Sequence, residues 1–583
     1  MESKTYPQFS THYPLLLKTF MKRPVSLYPN EVGVVYRNPD TGRYSRFTWR
    51  EWYERTCRLA NALRFTMDVK AGRAFEPGER VATIAMNHHR HLELYYAAPC
   101  MGAVLHPIVP RLSLEHITYT ITHSEDKVLF FDDLFLPLVE MLYDRIKPVV
   151  EKFVYMADGG PLPETKIEPL YDYESLIKDQ PSEYDWPYLD EDTYATLCYT
   201  TATTGLPKGV MYTHRQLYLH TLHLLAAGSW AADPSRPSLG DAAVPMVNTP
   251  FCHANGWGAP QTNVFSANKI VMPGRFTVEG FCDLVQAEKV TGTSLVPTML
   301  AMLVEYEDLK KYDLSSLQSI GVGGAALPLG LKTKAEQLIP GFTASSGYGM
   351  TETGPIAVVA FAKRWMRGWS KEELDKVRVK TGVPIPGLEV DVFDNESHPV
   401  PPDNKTIGEI VMRGPTIMEK YYNDPERTAQ RWRDDGWFHT GDVAKVDEEG
   451  YLTIVDRITD VIRSGAEMIP TVLLENVTAT ADFVLEATYV GVPDAKWGER
   501  PMALVKLVPG VTEREDDVYR FLEKEGVATG KLAKWMLPDY IAIIDDIPKT
   551  SVGKFDKRTI KKGIEEFLPR AKRMDQLQAA DTN

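Results

Sequence analysis

The sequence predicts an α/β protein with a large, multi-subdomain N-terminal domain and a small α+β C-terminal domain. Three observations lead there. β-Rich apolar runs recur at spacings of tens of residues, and amphipathic stretches such as VEGFCDLVQAEK from Val278 fall between some of them. The pattern then changes near Asp456, where short strands and one helix follow closely on each other. Finally, 583 residues exceed what one hydrophobic core serves, while 44% apolar and 25% charged residues describe a chain that folds.

The runs of the first part, in order, are VATIAM from Val81, KVLFFDD from Lys127, ATLCYTT from Ala195, KIVMP from Lys269, TSLVP from Thr293 and SIGVGG from Ser319. Each is short, β-branched or aromatic in content, and bounded by turn formers, as strands are. GEIVMRG from Gly408 and YLTIVD from Tyr451 continue the series. Beyond them come a strand EATYVGV from Glu486, a strand MALVKLV from Met502, a helix DDVYRFLEKE from Asp516 and a strand YIAIID from Tyr540. These make a separate small domain of roughly 125 residues.

Composition excludes several function classes. With 65 basic against 79 acidic residues, the net charge of -14 argues against a general affinity for nucleic acid. Anionic ligands stay open, because a few local donors suffice to bind a phosphate. Cys57, Cys100, Cys198, Cys252 and Cys282 are scattered and odd in number, so neither a disulfide framework nor a zinc site is expected. The N-terminal stretch has no basic start, apolar middle and cleavage site in sequence, and no apolar run approaches the ~20 residues that span a bilayer. A cytoplasmic protein that is not integral to a membrane is the expectation.

Chemistry concentrates in a few segments. YTTATTGLPKGV, Tyr199 to Val210, follows an apolar strand and packs hydroxyls, a glycine and a lysine into a short loop. Its amides and hydroxyls suit phosphate oxygens, and Lys208 brings a positive charge. It is not a Walker A loop, since Gly209 stands where that motif needs serine or threonine. Taken by itself such a loop is more often only a turn. GGAALP from Gly323, GYGMTETG from Gly347, GWFHTGD ending at Asp442, DRITD from Asp456 and PKTSVGKFDKR from Pro548 each have a similar plain reading as turn, cap or basic surface loop.

Together, and in this order, these segments resemble the signatures of the adenylate-forming superfamily, the AMP-forming acyl-CoA synthetases in particular. HANGWG from His253, with stretches such as GVPDAKWGERP from Gly491, resembles the fatty acyl-CoA ligase branch. The resemblance implies a large adenylation domain over 1–455, a hinge at 456–460 and a mobile C-terminal lid over 461–583. It implies ATP, Mg2+ and coenzyme A as cofactor and co-substrates, a carboxylic acid, fatty or medium-chain, as substrate, and a possible homodimer.

Site residues follow from the same resemblance. Thr200, Thr201, Thr203, Thr204 and Lys208 would hold the phosphates, with Lys208 at the leaving pyrophosphate. Gly324, Gly347, Tyr348, Gly349, Met350 and Thr351 would line the adenine and α-phosphate. Glu352, with Thr200, would bind Mg2+. Asp442 would accept from the ribose hydroxyls and Arg457 would reach a phosphate or ribose oxygen. His253, Trp257, Gly323 and Ala325 would wall and gate the acyl pocket. Lys554 would bridge the carboxylate and the α-phosphate during adenylation. The lid would then turn, and Thr459, Arg463, Gly465 and Glu467 would serve the hinge and coenzyme A.

The chain departs from the family pattern at Ala202, where glycine is usual, and at Thr459, Arg463, Ala466 and Met468 around the hinge. Two other readings stay open on the sequence: an adenylating enzyme with a different acyl acceptor, and a homologue that binds nucleotide or acyl groups without catalysis.

Overall fold

The computed structural model describes residues 13–66, 78–200, 205–230, 242–465, 467–549 and 555–574. The chain folds into two compact units. The first takes the chain to Glu389 except 203–205, together with Met412–Trp432, and the second takes 203–205, Val390–Val411 and the chain from Arg433 onward.

Among the described residues the first unit holds a nine-stranded and a seven-stranded sheet. In the larger sheet, Val32–Arg37, Ile270–Met272, Pro245–Met246, Gly292–Leu295, Ser319–Val322 and Thr343–Gly349 lie side by side and parallel. Antiparallel strands Tyr44–Thr48 and Ile356–Val359 flank this parallel centre. In the smaller sheet, Leu170–Asp172, Lys152–Met156, Val128–Asp132, Arg80–Ile84, Val104–Pro107 and Tyr194–Tyr199 are parallel, and the hairpin partner Gly209–Thr213 closes one edge. The runs expected as strands from Val81 to Ser319 are all strands.

Several of these strands are near-continuous apolar runs, as parallel strands covered on both faces are. Val128–Asp132 is buried at every position. The helix Val278–Glu288 presents Phe281, Cys282, Leu284 and Val285 to a core that also holds Val271, Leu295 and Ile320. Its N-terminus is set by Thr277, whose hydroxyl accepts from the Gly280 amide at 3.1 Å. A reciprocal cap starts the helix Trp49–Asn61: Thr48 Oγ1 accepts from Glu51 N at 3.2 Å, and the Glu51 carboxylate accepts from Thr48 N at 2.8 Å. No described helix is long and apolar enough to cross a membrane.

The second unit contains two sheets among its described residues. Glu389–Phe393, Ile407–Arg413, Phe438–Val446 and Leu452–Arg457 form a four-stranded sheet. A six-stranded sheet is centred on the long hairpin Val484–Asp494 with Gly498–Leu507, and Tyr540–Ile543 runs parallel to the latter. The helix Thr471–Thr478 packs Leu474 and Val477 onto Tyr489, Ala503 and Val505. The segment 456–460 lies within this unit: Asp456 and Arg457 end the strand Leu452–Arg457, and 458–460 lead on to Ile462–Ser464.

Candidate functional site

In the first unit the hairpin Tyr194–Tyr199 and Gly209–Thr213 carries the base of the phosphate-loop segment. Tyr199 is registered with Gly209, Thr200 N donates to Lys208 O at 2.9 Å, and Lys208 N donates back to Thr200 Oγ1 at 3.3 Å. Thr201, Ala202, Thr203 and Thr204 lie outside the described residues. A second chain segment joins the hairpin edge, where Val210 bridges Tyr421 and Tyr422 N donates to Gly209 O at 2.8 Å. That pairing brings the Tyr421 phenol to Lys208. Lys208 Nζ donates to Tyr421 Oη at 3.2 Å, and Tyr421 Oη donates to Glu352 Oε1 at 2.6 Å.

A lysine and a glutamate far apart in sequence thus share one hydroxyl. Burial holds the Lys208 ammonium below its ordinary pKa, opposed by the Glu352 charge and reinforced by Arg431 and Arg427. Burial and the neighbouring Glu352 hold the Tyr421 phenol well above its ordinary value, so it stays protonated and able to donate. Neither Tyr421 nor the two arginines were expected from the sequence. EKYYND from Glu419 carries no motif, and only the pairing of Tyr421 with Val210 brings the phenol to Lys208.

Glu352 sits in a short turn directly after the strand Thr343–Gly349. Gly349 is required there, since a Cβ would fall 1.8 Å from the Pro355 carbonyl oxygen. Met350 N donates to Thr353 Oγ1 and to Pro355 O, which fixes the turn and leaves Thr351 half-buried and Glu352 buried. Tyr348 Oη donates to Met350 Sδ at 3.9 Å. Among the described residues, Tyr421 alone hydrogen-bonds the Glu352 side chain, through one oxygen, so the other is free for a cation. No described cluster of three His, Cys, Asp or Glu side chains could hold a metal. A divalent ion here therefore fits one protein carboxylate plus substrate oxygens, the usual situation of Mg2+ in nucleotide sites.

Of the residues expected at the acyl pocket, Trp257 and Gly323 come together beside Gly347. A Cβ on Gly323 would meet the Trp257 ring at 2.8 Å and the Gly347 carbonyl oxygen at 3.4 Å. Gly324, at φ +78°, lies beside the same indole, and the adjoining Ala325 is exposed. Trp257 therefore lies against the two glycines. It belongs to a left-handed stretch in which Ala254, Asn255, Gly256, Trp257 and Gly258 all have φ between +45° and +81°. His253 precedes this stretch, and burial together with Arg111 holds its imidazole below the ordinary value. His220 packs beneath Gly258, where a Cβ would meet the ring at 2.9 Å. Its Nε2 accepts from Ile356 N at 3.2 Å, and burial pushes its pKa down to about 3.

In the second unit, Asp442 and Arg457 are registered opposite each other, with Nε to Oδ1 at 3.4 Å. Arg457 is largely exposed, so this pair is worth at most about 1 kcal/mol and leaves the guanidinium available. Thr459 donates its hydroxyl to Asp460 at 3.3 Å and accepts at its carbonyl from Lys561 at 2.8 Å. Arg463 is exposed and its amide donates to Glu499 Oε2 at 2.9 Å. Gly465 has φ +66° with the Trp497 ring 3.3 Å from where a Cβ would be, so this turn needs glycine. Glu467 begins the strand Glu467–Ile469, registered with Ser464. Ala466 and Lys554 lie outside the described residues.

Comparison with known proteins matches two family profiles in succession along the chain. The profile of the AMP-binding enzyme family matches residues 21–422, and that of the AMP-binding enzyme C-terminal domain matches 473–554. A long-chain-fatty-acid–CoA ligase of Thermus thermophilus is 38% identical over 96% of this chain and 98% of its own. A 3-methylmercaptopropionyl-CoA ligase of Ruegeria lacuscaerulensis is 34% identical over 95% and 98%. Among solved structures, ATP-bound MatB from Rhodopseudomonas palustris has the same fold, with a TM-score of 0.74 at 23% identity over 93% and 98% of the two chains.

Proposed function

The chain belongs to the AMP-binding enzyme family, and from that premise we propose that it is an AMP-forming acid–CoA ligase, which joins a carboxylic acid to ATP as an acyl-adenylate and then passes the acyl group to coenzyme A. The observation that carries this reading is the Lys208–Tyr421–Glu352 arrangement. It puts one cationic and one anionic side chain, both largely removed from water, on a shared hydroxyl at the base of a hydroxyl-rich loop. Such a pair is suited to a polyphosphate, whose leaving pyrophosphate Lys208 would stabilise.

In the first half-reaction the acid's carboxylate attacks the α-phosphorus of ATP and pyrophosphate leaves. Thr200, with Thr201, Thr203 and Thr204, is assigned to the phosphates, and Gly324, Gly347, Tyr348, Gly349, Met350 and Thr351 to the adenine and α-phosphate. Glu352 and Thr200 are the residues that would hold Mg2+, which neutralises charge on the phosphate oxygens when bound. Asp442 and Arg457 are assigned to the ribose and a neighbouring oxygen. Lys554 supplies the positive charge between the reacting groups. In the second half-reaction the thiol of coenzyme A attacks the acyl carbon of the mixed anhydride and AMP leaves, with Thr459, Arg463, Gly465 and Glu467 assigned to the hinge and the approach of coenzyme A.

Trp257, His253, Gly323 and Ala325 are assigned to the acyl pocket. The two relatives named above act on acids of very different size, so the proposal extends to a fatty or medium-chain acid only on the strength of the branch resemblance. A cytoplasmic setting and a homodimer rest on that resemblance too. The test is acid-dependent exchange of labelled pyrophosphate into ATP, followed by consumption of free coenzyme A, over short, medium, long and aromatic acids. Exchange without thioester formation would point to another acceptor, and no exchange with any acid would end the proposal.

A further inference from the structure

In the second unit the Thr440–Gly441–Asp442 stretch bends within the strand Phe438–Val446, with Gly441 at φ +76°. Both polar atoms of the Gly441 residue are pinned. Its amide donates to Glu409 Oε1 at 3.0 Å, and its carbonyl accepts from Ile458 N at 2.9 Å. Asp442 N donates to Thr440 Oγ1 at 3.1 Å, and Thr440 Oγ1 donates to Ile410 O at 2.8 Å. The Glu409 carboxylate therefore fixes the backbone bend at Gly441 from which the Asp442 side chain projects.

Glu409 is itself held by His439. Nδ1 of His439 lies 2.9 Å from Glu409 Oε2 and Nε2 lies 2.9 Å from Asp435 Oδ2, with the imidazole buried. A neutral imidazole carries one N–H, whereas both of these contacts require donation to a carboxylate. The geometry is that of an imidazolium clamped between two carboxylates. The other charge acting on it is Arg433, whose guanidinium donates to Glu409 Oε2 at 3.1 Å. Burial opposes the charge on His439, and the hydrogen bonds to Glu409 and Asp435 outweigh it and hold the pKa above the ordinary value.

We propose that His439 and Glu409 are positioning residues for nucleotide binding, the protonated His439 bracing the Glu409 carboxylate that orients Asp442. This rests on the assignment of Asp442 to the ribose. The sign follows from the raised pKa. The clamp is complete below the ordinary histidine value and is lost as pH rises through the folded one. Loss of the proton leaves the Glu409 and Asp435 carboxylates facing an imidazole that can donate to only one of them. MgATP affinity should fall with it while turnover at saturating ATP does not.

The test is MgATP affinity by calorimetry from pH about 6 to about 9 in the full-length wild type, Glu409→Gln and His439→Gln, with the KM and kcat of pyrophosphate exchange alongside. The carboxamide of Glu409→Gln keeps an oxygen for the Gly441 amide and offers its NH2 to a neutral His439, and it loses the Arg433 bond to Oε2 equally at every pH. The expected result is a wild-type Kd that rises at least about threefold more than that of Glu409→Gln across the range, with kcat ratios unchanged. His439→Gln should bind weakly at every pH. Superimposable wild-type and Glu409→Gln profiles, or an effect on kcat alone, would overturn the proposal. Should His439→Gln fail to fold, the near-isosteric Glu409→Gln still decides. Absence of exchange with every acid would defeat the ligase reading, while MgATP binding would still decide the role of His439.

Discussion

At the scale of single residues, the arrangement around Tyr421 makes the sharpest predictions. Tyr421→Phe removes one hydroxyl that serves both Lys208 and Glu352. Hydrogen bonds to charged groups are worth about 1.5–3 kcal/mol, so pyrophosphate exchange should fall by about tenfold to a hundredfold with the fold intact. A fall of less than twofold would mean that the hydroxyl is incidental. The pH dependence is also signed. Because Lys208 titrates below its ordinary value, its charge is lost as pH rises at a lower pH than for a free lysine. The kcat/KM for ATP should therefore decline on an early alkaline limb, earlier still in Tyr421→Phe, which lacks the oxygen that accepts from the ammonium. Lys208 and Glu352 were legible in the sequence because family motifs carry them. Tyr421 was not, since its place depends on an edge pairing between segments some two hundred residues apart.

At the scale of elements, strands and caps follow local chemistry and the gate turn does not. The Thr48 and Glu51 cap is of the ordinary kind, and Thr48→Ala should cost about 1 kcal/mol in denaturant unfolding without changing activity. The 254–258 turn contains Ala254, Asn255 and Trp257 in left-handed conformation, each at a cost of roughly 1–2 kcal/mol, so surrounding packing must hold it. Trp257→Gly should relieve strain at one of these positions while losing the indole contact with Gly323 and Gly324. The expected outcome is a melting temperature little changed and a clear change in the ratio of kcat/KM between a short and a long acid. An unchanged ratio would remove Trp257 from the acyl pocket. In sequence HANGWG is legible only as a motif of the fatty acyl-CoA ligase branch, because left-handed geometry at alanine and tryptophan has no local signature.

At the scale of the whole molecule, the proposed reaction assigns different parts of the chain to different half-reactions. Lys554→Ala should cripple adenylate formation yet leave thiolysis of supplied acyl-adenylate largely intact, and equal loss of both would sink its assigned role. The sequence by itself determined the α/β class, the expected strands and the order of the nucleotide motifs, since these follow from apolar periodicity and from glycine, threonine and lysine at fixed spacings. Tertiary structure alone decided which side chains meet. It placed Tyr421 between Lys208 and Glu352, Trp257 against Gly323, and His439 behind the Glu409 that holds Gly441. The physical reason is that motifs specify backbone geometry within a few residues, whereas pKa values and hydrogen-bond partners are set by whatever distant segments the sheets bring alongside.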